Sequence, residues 1–194
     1  MMQSDCLTGP EAHDHRGFSL VEMLVAASIA GLMAAIAAPS FSHLIEQHRM
    51  TISSNALMSA FVIARQSAIS KNQFVAICAG NVESGCHADW GGGEWLIFTD
   101  RNRNGRLDMD ESLIQDGSAT LGRAVRILAN RPMKMPILFH PIGHAEQLNG
   151  AFAAGTLRIC AASTSSAPGV DLILSKSGQM RAQAHDVGGS CTQP

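Results

Sequence analysis

Residues 16–25 read RGFSLVEMLV and open an apolar run that continues as AASIAGLMAAIAA. Over residues 18–38 the only charged side chain is that of Glu22. As a helix this run rises about 31 Å at 1.5 Å per residue, enough to cross the hydrocarbon core of a bilayer. The sequence therefore predicts one transmembrane helix over residues 18–38. The alternative is a buried helix of a soluble protein, which would need a larger surrounding fold.

A second, amphipathic helical segment follows the apolar run. Pro39 removes one backbone donor and kinks a helix without necessarily ending it. Beyond Pro39, apolar residues recur at three- to four-residue steps with polar residues between them, which predicts a helix over residues 39–70 with one stripe facing a β-sheet. The residues of this stripe are Phe41, Leu44, Ile45, His48, Ile52, Leu57, Ala60, Phe61, Ala64 and Ala68.

From residue 71 the helical period disappears, and short apolar runs are separated by Gly, Pro, Asn and Asp. The predicted strands cover residues 74–79, 95–99, 112–115, 124–128, 137–140, 156–161, 170–175 and 179–182. The predicted fold class is therefore α+β, with a long N-terminal helix, transmembrane and then amphipathic, packed on an antiparallel β-sheet domain. The β-rich domain takes up residues 71–194.

Composition and charge bound the function only weakly. Hydrophobic residues make up 46% of the chain and charged residues 15%, which is apolar for a soluble domain and fits a segment in lipid. The formal net charge of −2 indicates no general affinity for nucleic acid or anionic lipid.

The cysteines indicate an exported domain. Of the five, one lies at Cys6, and the other four form an even set in the β-rich part: Cys78, Cys86, Cys160 and Cys191. An even set in an exported domain predicts disulfides, with three possible pairings. The favoured pairing joins Cys78 to Cys86 across a short loop, and Cys160 to Cys191. Zinc is the alternative, but the spacing of these cysteines does not match the usual ligand pairs.

The sequence RGFSLVEMLVA closely resembles the cleavage and methylation site of type IV prepilins and type II secretion pseudopilins. The resemblance implies that residues 1–17 are a leader, that a prepilin peptidase/N-methyltransferase cuts after Gly17, and that Phe18 becomes an N-methylated N-terminus. It implies that Glu22 neutralises the Phe18 amine of a neighbouring subunit in a filament, and that Pro39 is the helix-kinking proline. A carboxylate within a membrane costs about 3 kcal/mol, so a partner for Glu22 is expected; a glutamate that snorkels to the interface is the alternative.

Four segments of the β-rich part resemble the GspH/FimT branch of minor pseudopilins and pilins: residues 78–86, 90–98 (WGGGEWLIF), 100–111 and 139–143 (FHPIG). The resemblance implies a minor subunit, not an enzyme, that helps assemble a type II secretion pseudopilus or a type IV pilus. Its partners would be other pilins and inner-membrane lipid. The β-rich domain would lie in the periplasm and join the filament after assembly. The sequence does not distinguish secretion system from pilus, since both use the same anchor.

A loop of oxygen-bearing side chains matches the calcium pattern D-x-[DN]-x-[DN]-G-x5-E. Its residues are Asp100, Asn102, Asn104, Gly105, Asp108 and Glu111. A strand is predicted before the loop where an EF-hand has a helix, and three arginines lie within it, so a hairpin with Asn-Gly turn chemistry is the alternative. No cofactor is expected except calcium at this loop.

The basic residues suggest DNA binding as an alternative function. Some FimT-like members take up DNA and carry a C-terminal Gly-Arg-x-Arg motif. Here the matching stretch is GQMR at residues 178–181, which lacks the first arginine. Lys176 and Arg181, with Arg101, Arg103 and Arg106, are the candidate DNA contacts of this alternative.

Two histidines complete the candidate residues. His140 and His144 lie four residues apart, but Pro141 and Gly143 between them argue against a metal pair on a helix. They are predicted to be turn or surface histidines.

Overall fold

The computed structural model describes residues 19–117, 125–161, 169–185, 188 and 190–194, with backbone alone at residues 37–40, 42 and 43. The chain forms two compact units, residues 1–40 and 41–194. Helix α1 runs over Leu20–Lys71, 52 residues, and its backbone remains helical at Pro39. The two predicted helical segments are therefore one helix.

Within the second unit, α1 buries a face only from Met50 onward. Leu57, Ala60, Phe61, Ala64 and Ala68 of the predicted stripe are buried, at 0 to 1% exposure. The five N-terminal members of the predicted stripe are exposed instead: Phe41, Leu44, Ile45, His48 and Ile52. For Phe41, Leu44, Ile45 and His48 the prediction is wrong because the core of the domain begins at Met50, and periodicity alone does not show where the covering sheets end. Ile52 lies beyond Met50 and is 46% exposed.

In the described residues, ten strands form two antiparallel sheets. The first sheet contains β1 (Val75–Asn81), β2 (Gly85–His87), β3 (Trp95–Thr99), β4 (Leu113–Asp116), β6 (Ile137–Phe139) and β7 (Ala145–Glu146). Its order is β4-β3-β1-β6-β7, with β2 paired to the C-terminal end of β1. The second sheet has the order β10-β9-β8-β5 and contains β5 (Val125–Ala129), β8 (Gly155–Ala161), β9 (Gly169–Leu174) and β10 (Met180–His185).

The α+β prediction is confirmed, and each predicted strand corresponds to an observed one within a few residues. Residue 124, predicted to open a strand, lies outside the described residues. The short strands β2 and β7 were not predicted. They have three and two residues, too few to show an alternation of apolar and polar side chains.

The first sheet is covered on both faces. One face of β1 and β3, with Val75, Ile77 and Ile97, joins α1 and the second sheet in the main core. The opposite face forms a second cluster of buried residues: Ala76, Cys78, Leu96, Phe98 and Leu138, with Cys86, Leu107 and Leu148 packed against them. Burial on both faces explains why these strands appear in the sequence as continuous apolar runs.

Candidate functional site

The N-terminal turn of α1 carries the lone carboxylate of the apolar run. Ser19 caps the helix, because its Oγ accepts a hydrogen bond from the backbone N–H of Glu22 at 3.2 Å. This arrangement places Glu22 in the first turn, where a negative charge also complements the helix dipole. The predicted processing residues Gly17 and Phe18 lie outside the described residues, as does the side chain of Pro39.

Large apolar side chains are exposed all around this part of α1. They are 49 to 76% exposed and comprise Leu20, Val21, Met23, Leu24, Val25, Ile29, Leu32, Met33 and Ile36. Exposed apolar surface of this extent marks a place where lipid or protein binds.

Within the part of the chain that the structure describes, no helix is both long and apolar enough to cross a membrane.

Two disulfides stabilise the domain. The structure joins Cys78 to Cys86 and Cys160 to Cys191, which is the favoured pairing. The first links β1 to β2, and the second ties the C-terminal segment to β8.

The longer disulfide should stabilise the fold more than the shorter one. Each closes a loop in the unfolded chain, with sequence separations of 31 for Cys160/Cys191 and 8 for Cys78/Cys86. Replacing both cysteines of a pair by alanine is expected to lower the free energy of unfolding by about 4 kcal/mol for Cys160/Cys191 and by about 2.5 kcal/mol for Cys78/Cys86. Each pair has one buried and one half-buried member, so side-chain burial largely cancels in the comparison. Urea unfolding of the two double variants measures the difference, and equal losses would contradict it.

The loop after β3 is organised around the buried carboxylate of Asp100. Its Oδ1 accepts a hydrogen bond from the backbone N–H of Asn104 at 3.1 Å, and its Oδ2 from that of Gly105 at 2.8 Å. Gly105 has φ +71°, and a Cβ there would lie 3.0 Å from carbons of Leu148 and Pro136. The loop therefore packs closely against the face of the first sheet.

Two carboxyl groups of this loop have pKa values shifted in opposite directions. Burial raises the pKa of Asp100 above its ordinary 3.8, although the N–H groups of Gly105 and Asn104 act the other way. Ionising Asp100 therefore costs folding free energy as the pH rises through its raised pKa. The Asn102 and then the Asn104 amide hold the pKa of Asp108 below 3.8, so the stability it contributes is lost as the pH falls through that lowered pKa.

The other predicted calcium ligands are engaged with N–H donors. The amides of Asn102 and Asn104 each donate to Asp108 Oδ2 at 2.8 Å. Glu111 accepts from the backbone N–H groups of Arg101 (2.8 Å) and Asp108 (3.2 Å). The loop joins two antiparallel strands, as the hairpin alternative expected, and not two helices. Among the described residues, no group of three or more His, Cys, Asp or Glu is arranged to hold a metal ion.

The two histidines lie in the turn between β6 and β7. Their rings stack with centroids 4.5 Å apart, and His140 Nδ1 accepts a hydrogen bond from the Ile142 N–H at 3.2 Å. His144 Nε2 lies 3.4 Å from Glu146 Oε2. Glu146 Oε1 is buried without a hydrogen-bond partner in the described part of the chain, and Arg103 Nη1 lies 4.0 Å away. Nothing in the sequence around Glu146 indicates that this side chain is buried.

The candidate DNA contacts lie in different elements. Lys176 is exposed in the turn between β9 and β10, and Arg181 is exposed on the edge strand β10 of the second sheet. Arg103 belongs to the loop after β3, where it pairs with Glu146 and lies over the Phe74 ring at 5.1 Å. DNA binding stays a prediction.

An ion pair within the second sheet was also missed. Arg158 on β8 and Asp171 on β9 are cross-strand neighbours, joined at 2.8 Å (Nε to Oδ1) and 2.9 Å (Nη2 to Oδ2). The Asp171 carboxylate raises the pKa of Arg158 through these hydrogen bonds. The sequence feature that could have indicated this pair is a single charged residue within each of two neighbouring apolar runs, Arg158 in one and Asp171 in the other.

A long N-terminal helix packed on antiparallel sheet, with an apolar first half and one carboxylate in its first turn, defines a pilin-like subunit. The sequence profile described as Type II transport protein GspH matches residues 53–178, more than half of the chain. The chain therefore belongs to the GspH family. The profile described as Prokaryotic N-terminal methylation motif matches residues 13–38. Both matches confirm the resemblance found in the sequence.

A solved structure has the same fold. The type IV minor pilin FimU of Pseudomonas aeruginosa (strain PAO1), in space group P21, aligns with a TM-score of 0.52 at 16% identity, over 72% of this chain and 92% of FimU. Its P65 crystal form aligns with a TM-score of 0.48 at 17% identity, over 68% and 90%. At this identity the likeness concerns the fold alone. No curated protein sequence matches the chain significantly.

Proposed function

We propose that this chain is a minor subunit of a type II secretion pseudopilus or a type IV pilus, and that it acts by helix packing and not by catalysis. The observation that carries the proposal is the first part of α1. Its large apolar side chains are exposed around the helix, and Glu22 is its only charged residue between positions 20 and 36. A surface of this kind must be covered by lipid or by other helices.

Before assembly, membrane lipid buries the apolar side chains of the first part of α1. Residues 18–38 lie in the inner membrane as a single span, with the leader of residues 1–17 at the cytoplasmic side. The β-rich domain lies in the periplasm, where two disulfides persist because the compartment is oxidising. The partners at this stage are lipid and the prepilin peptidase/N-methyltransferase.

After assembly, the helices of neighbouring subunits bury these apolar side chains. Cleavage after Gly17 creates a positive amine on Phe18 within an apolar environment. A carboxylate there costs about 3 kcal/mol unless it is paired. Glu22 of an incoming subunit therefore pairs with the Phe18 amine of its neighbour, and Pro39 lets the helix follow the packing of the filament.

Loss of the Glu22 charge tests this proposal. In Glu22→Gln the side chain keeps its size and loses only the charge, so recovery of the chain in sheared filaments is expected to fall by about tenfold or more. Processing should stay intact, and the mass of the membrane-bound chain should equal that of the mature wild type. The matched control is Glu83→Gln, an exposed carboxylate in the turn after β1, which should behave as wild type. Wild-type incorporation of Glu22→Gln would refute the charge pairing.

A further inference from the structure

A cleft beside the first sheet is lined by basic side chains and, among the residues that the structure describes, by no acidic one. The cavity has a volume of about 270 Å³. Its basic residues are His87, Arg106 and Lys134, and its apolar lining includes Met135, Pro136 and Leu148. In a chain with a net charge of −2, this is a local concentration of positive charge.

The three basic groups are not used by the fold. In the part of the chain that the structure describes, no side-chain hydrogen bond or ion pair engages His87, Arg106 or Lys134. Arg106 helps to lower the pKa of Asp108, but the Asp108 carboxylate already accepts hydrogen bonds from two amides.

Each wall of the cleft is held rigidly. Strand β2, which ends at His87, is tied to β1 by the Cys78–Cys86 disulfide. The loop that carries Arg106 is fixed by Asp100. The 3-10 turn that carries Lys134 is fixed by Trp90, whose Nε1 donates to the Met133 carbonyl at 2.7 Å. Rigid walls lower the entropy cost of ordering charged side chains around a ligand.

A second cavity of about 340 Å³ adjoins the first, because both are lined by His87, Ala88 and Lys134. It contains one carboxylate, that of Asp89, which accepts a hydrogen bond from the Gly91 N–H. Lys134 is half-buried and lines both cavities.

We propose that the cleft between His87, Arg106 and Lys134 binds an acidic side chain on a partner protein. The choice of a protein partner rests on the proposed role in filaments. Drug-sized ligands occupy cavities of about 300 to 1,000 Å³, so the first cavity suits a single side chain. The apolar lining contacts the methylene groups, and the cationic groups donate charge-assisted hydrogen bonds to the carboxylate.

The test uses the full chain in a neutral detergent and two matched peptides, N-acetyl-Leu-Glu-amide and N-acetyl-Leu-Gln-amide. NMR titration should shift the His87 ring and Arg106 Nε signals with the glutamate peptide, with a dissociation constant on the order of 1 mM. The uncharged glutamine peptide should bind about tenfold more weakly or not at all. Added salt should weaken the binding of the glutamate peptide.

Lys134→Gln and Arg106→Gln should each lower the affinity by about tenfold. The control is Arg131→Gln, an exposed cation in the same 3-10 turn as Lys134 that does not line the cavity, which should keep the affinity within about twofold. Unchanged spectra away from the cleft show that the variants are folded.

Several outcomes would overturn the proposal: no shifts with the glutamate peptide, equal binding of both peptides, or an equal loss in Arg131→Gln. Inorganic phosphate that binds as tightly as the glutamate peptide would also overturn it, in favour of a phosphate site. The peptide titration needs no filament, so the two experiments can fail independently. A negative titration would not change the result expected for Glu22→Gln, and wild-type incorporation of Glu22→Gln would not change the result expected of the titration.

Discussion

Replacement of Gly17 by leucine is expected to leave the first 17 residues on the chain in every molecule. The methylation-motif match covers residues 13–38, and the proposed function has the peptidase cut after Gly17 within this motif. A bulky side chain at the scissile position prevents the close approach that glycine allows. Without the cut there is no Phe18 amine to pair with the glutamate of a neighbouring subunit, so the chain should be absent from filaments.

Intact mass of the chain recovered from membranes measures this result. Gly31→Leu is the matched control, because the same substitution is made within the same apolar run and a Cβ at Gly31 meets no atom within 4 Å. That variant should be processed as wild type. A Gly17→Leu chain of mature mass would show that the processing assignment is wrong.

Removal of the Asp171 carboxylate is expected to cause a large loss of stability in the second sheet. Arg158 is 7% exposed, and its bidentate pair with Asp171 is supplemented by a hydrogen bond from Nη1 to the Thr192 carbonyl at 3.0 Å. In Asp171→Ala the guanidinium stays buried without its counter-charge. Breaking a buried pair in this way costs about 3 to 5 kcal/mol.

Removal of both charges should be far less damaging. In the double variant Arg158→Met/Asp171→Leu no charge is left buried, and apolar side chains fill the space, so most of the loss should be recovered. The free energy of unfolding in urea, measured for the single and double variants, checks both statements. A double variant as unstable as Asp171→Ala would show that the loss comes from packing and not from the unpaired charge.

Helices and strands with a long run or a regular spacing of apolar residues could be predicted from the sequence. The apolar run over residues 18–38 and the periodicity up to Ala68 predicted two consecutive helical segments, and the short apolar runs at 74–79 and 95–99 predicted two strands. These signals are local, since each arises from the burial of one element's own side chains.

The features that could not be predicted from the sequence depend on which helices and strands contact each other. Exposure of Phe41 and Leu44 is decided by where the sheets end relative to α1. The pairing of Arg158 with Asp171 requires the register of β8 and β9, and the basic cleft requires three segments far apart in the chain to fold together. None of these can be obtained from the period of a single segment.

The position of β1 at the centre of the first sheet sets an order for folding. It pairs with β2 across a gap of a few residues, with β3 at Val75↔Thr99, and with β6 at Val75↔Phe139. Loop closure entropy grows with the logarithm of the separation, so bringing β6 to β1 costs about 1 kcal/mol more than bringing β3. The pairs β1–β2 and β1–β3 should therefore form first, and β6 and β7 should add to them later. The first sheet can therefore be completed only after most of the chain is available. Because its strand pairs join residues far apart in the sequence, the sheet should fold more slowly than the helix.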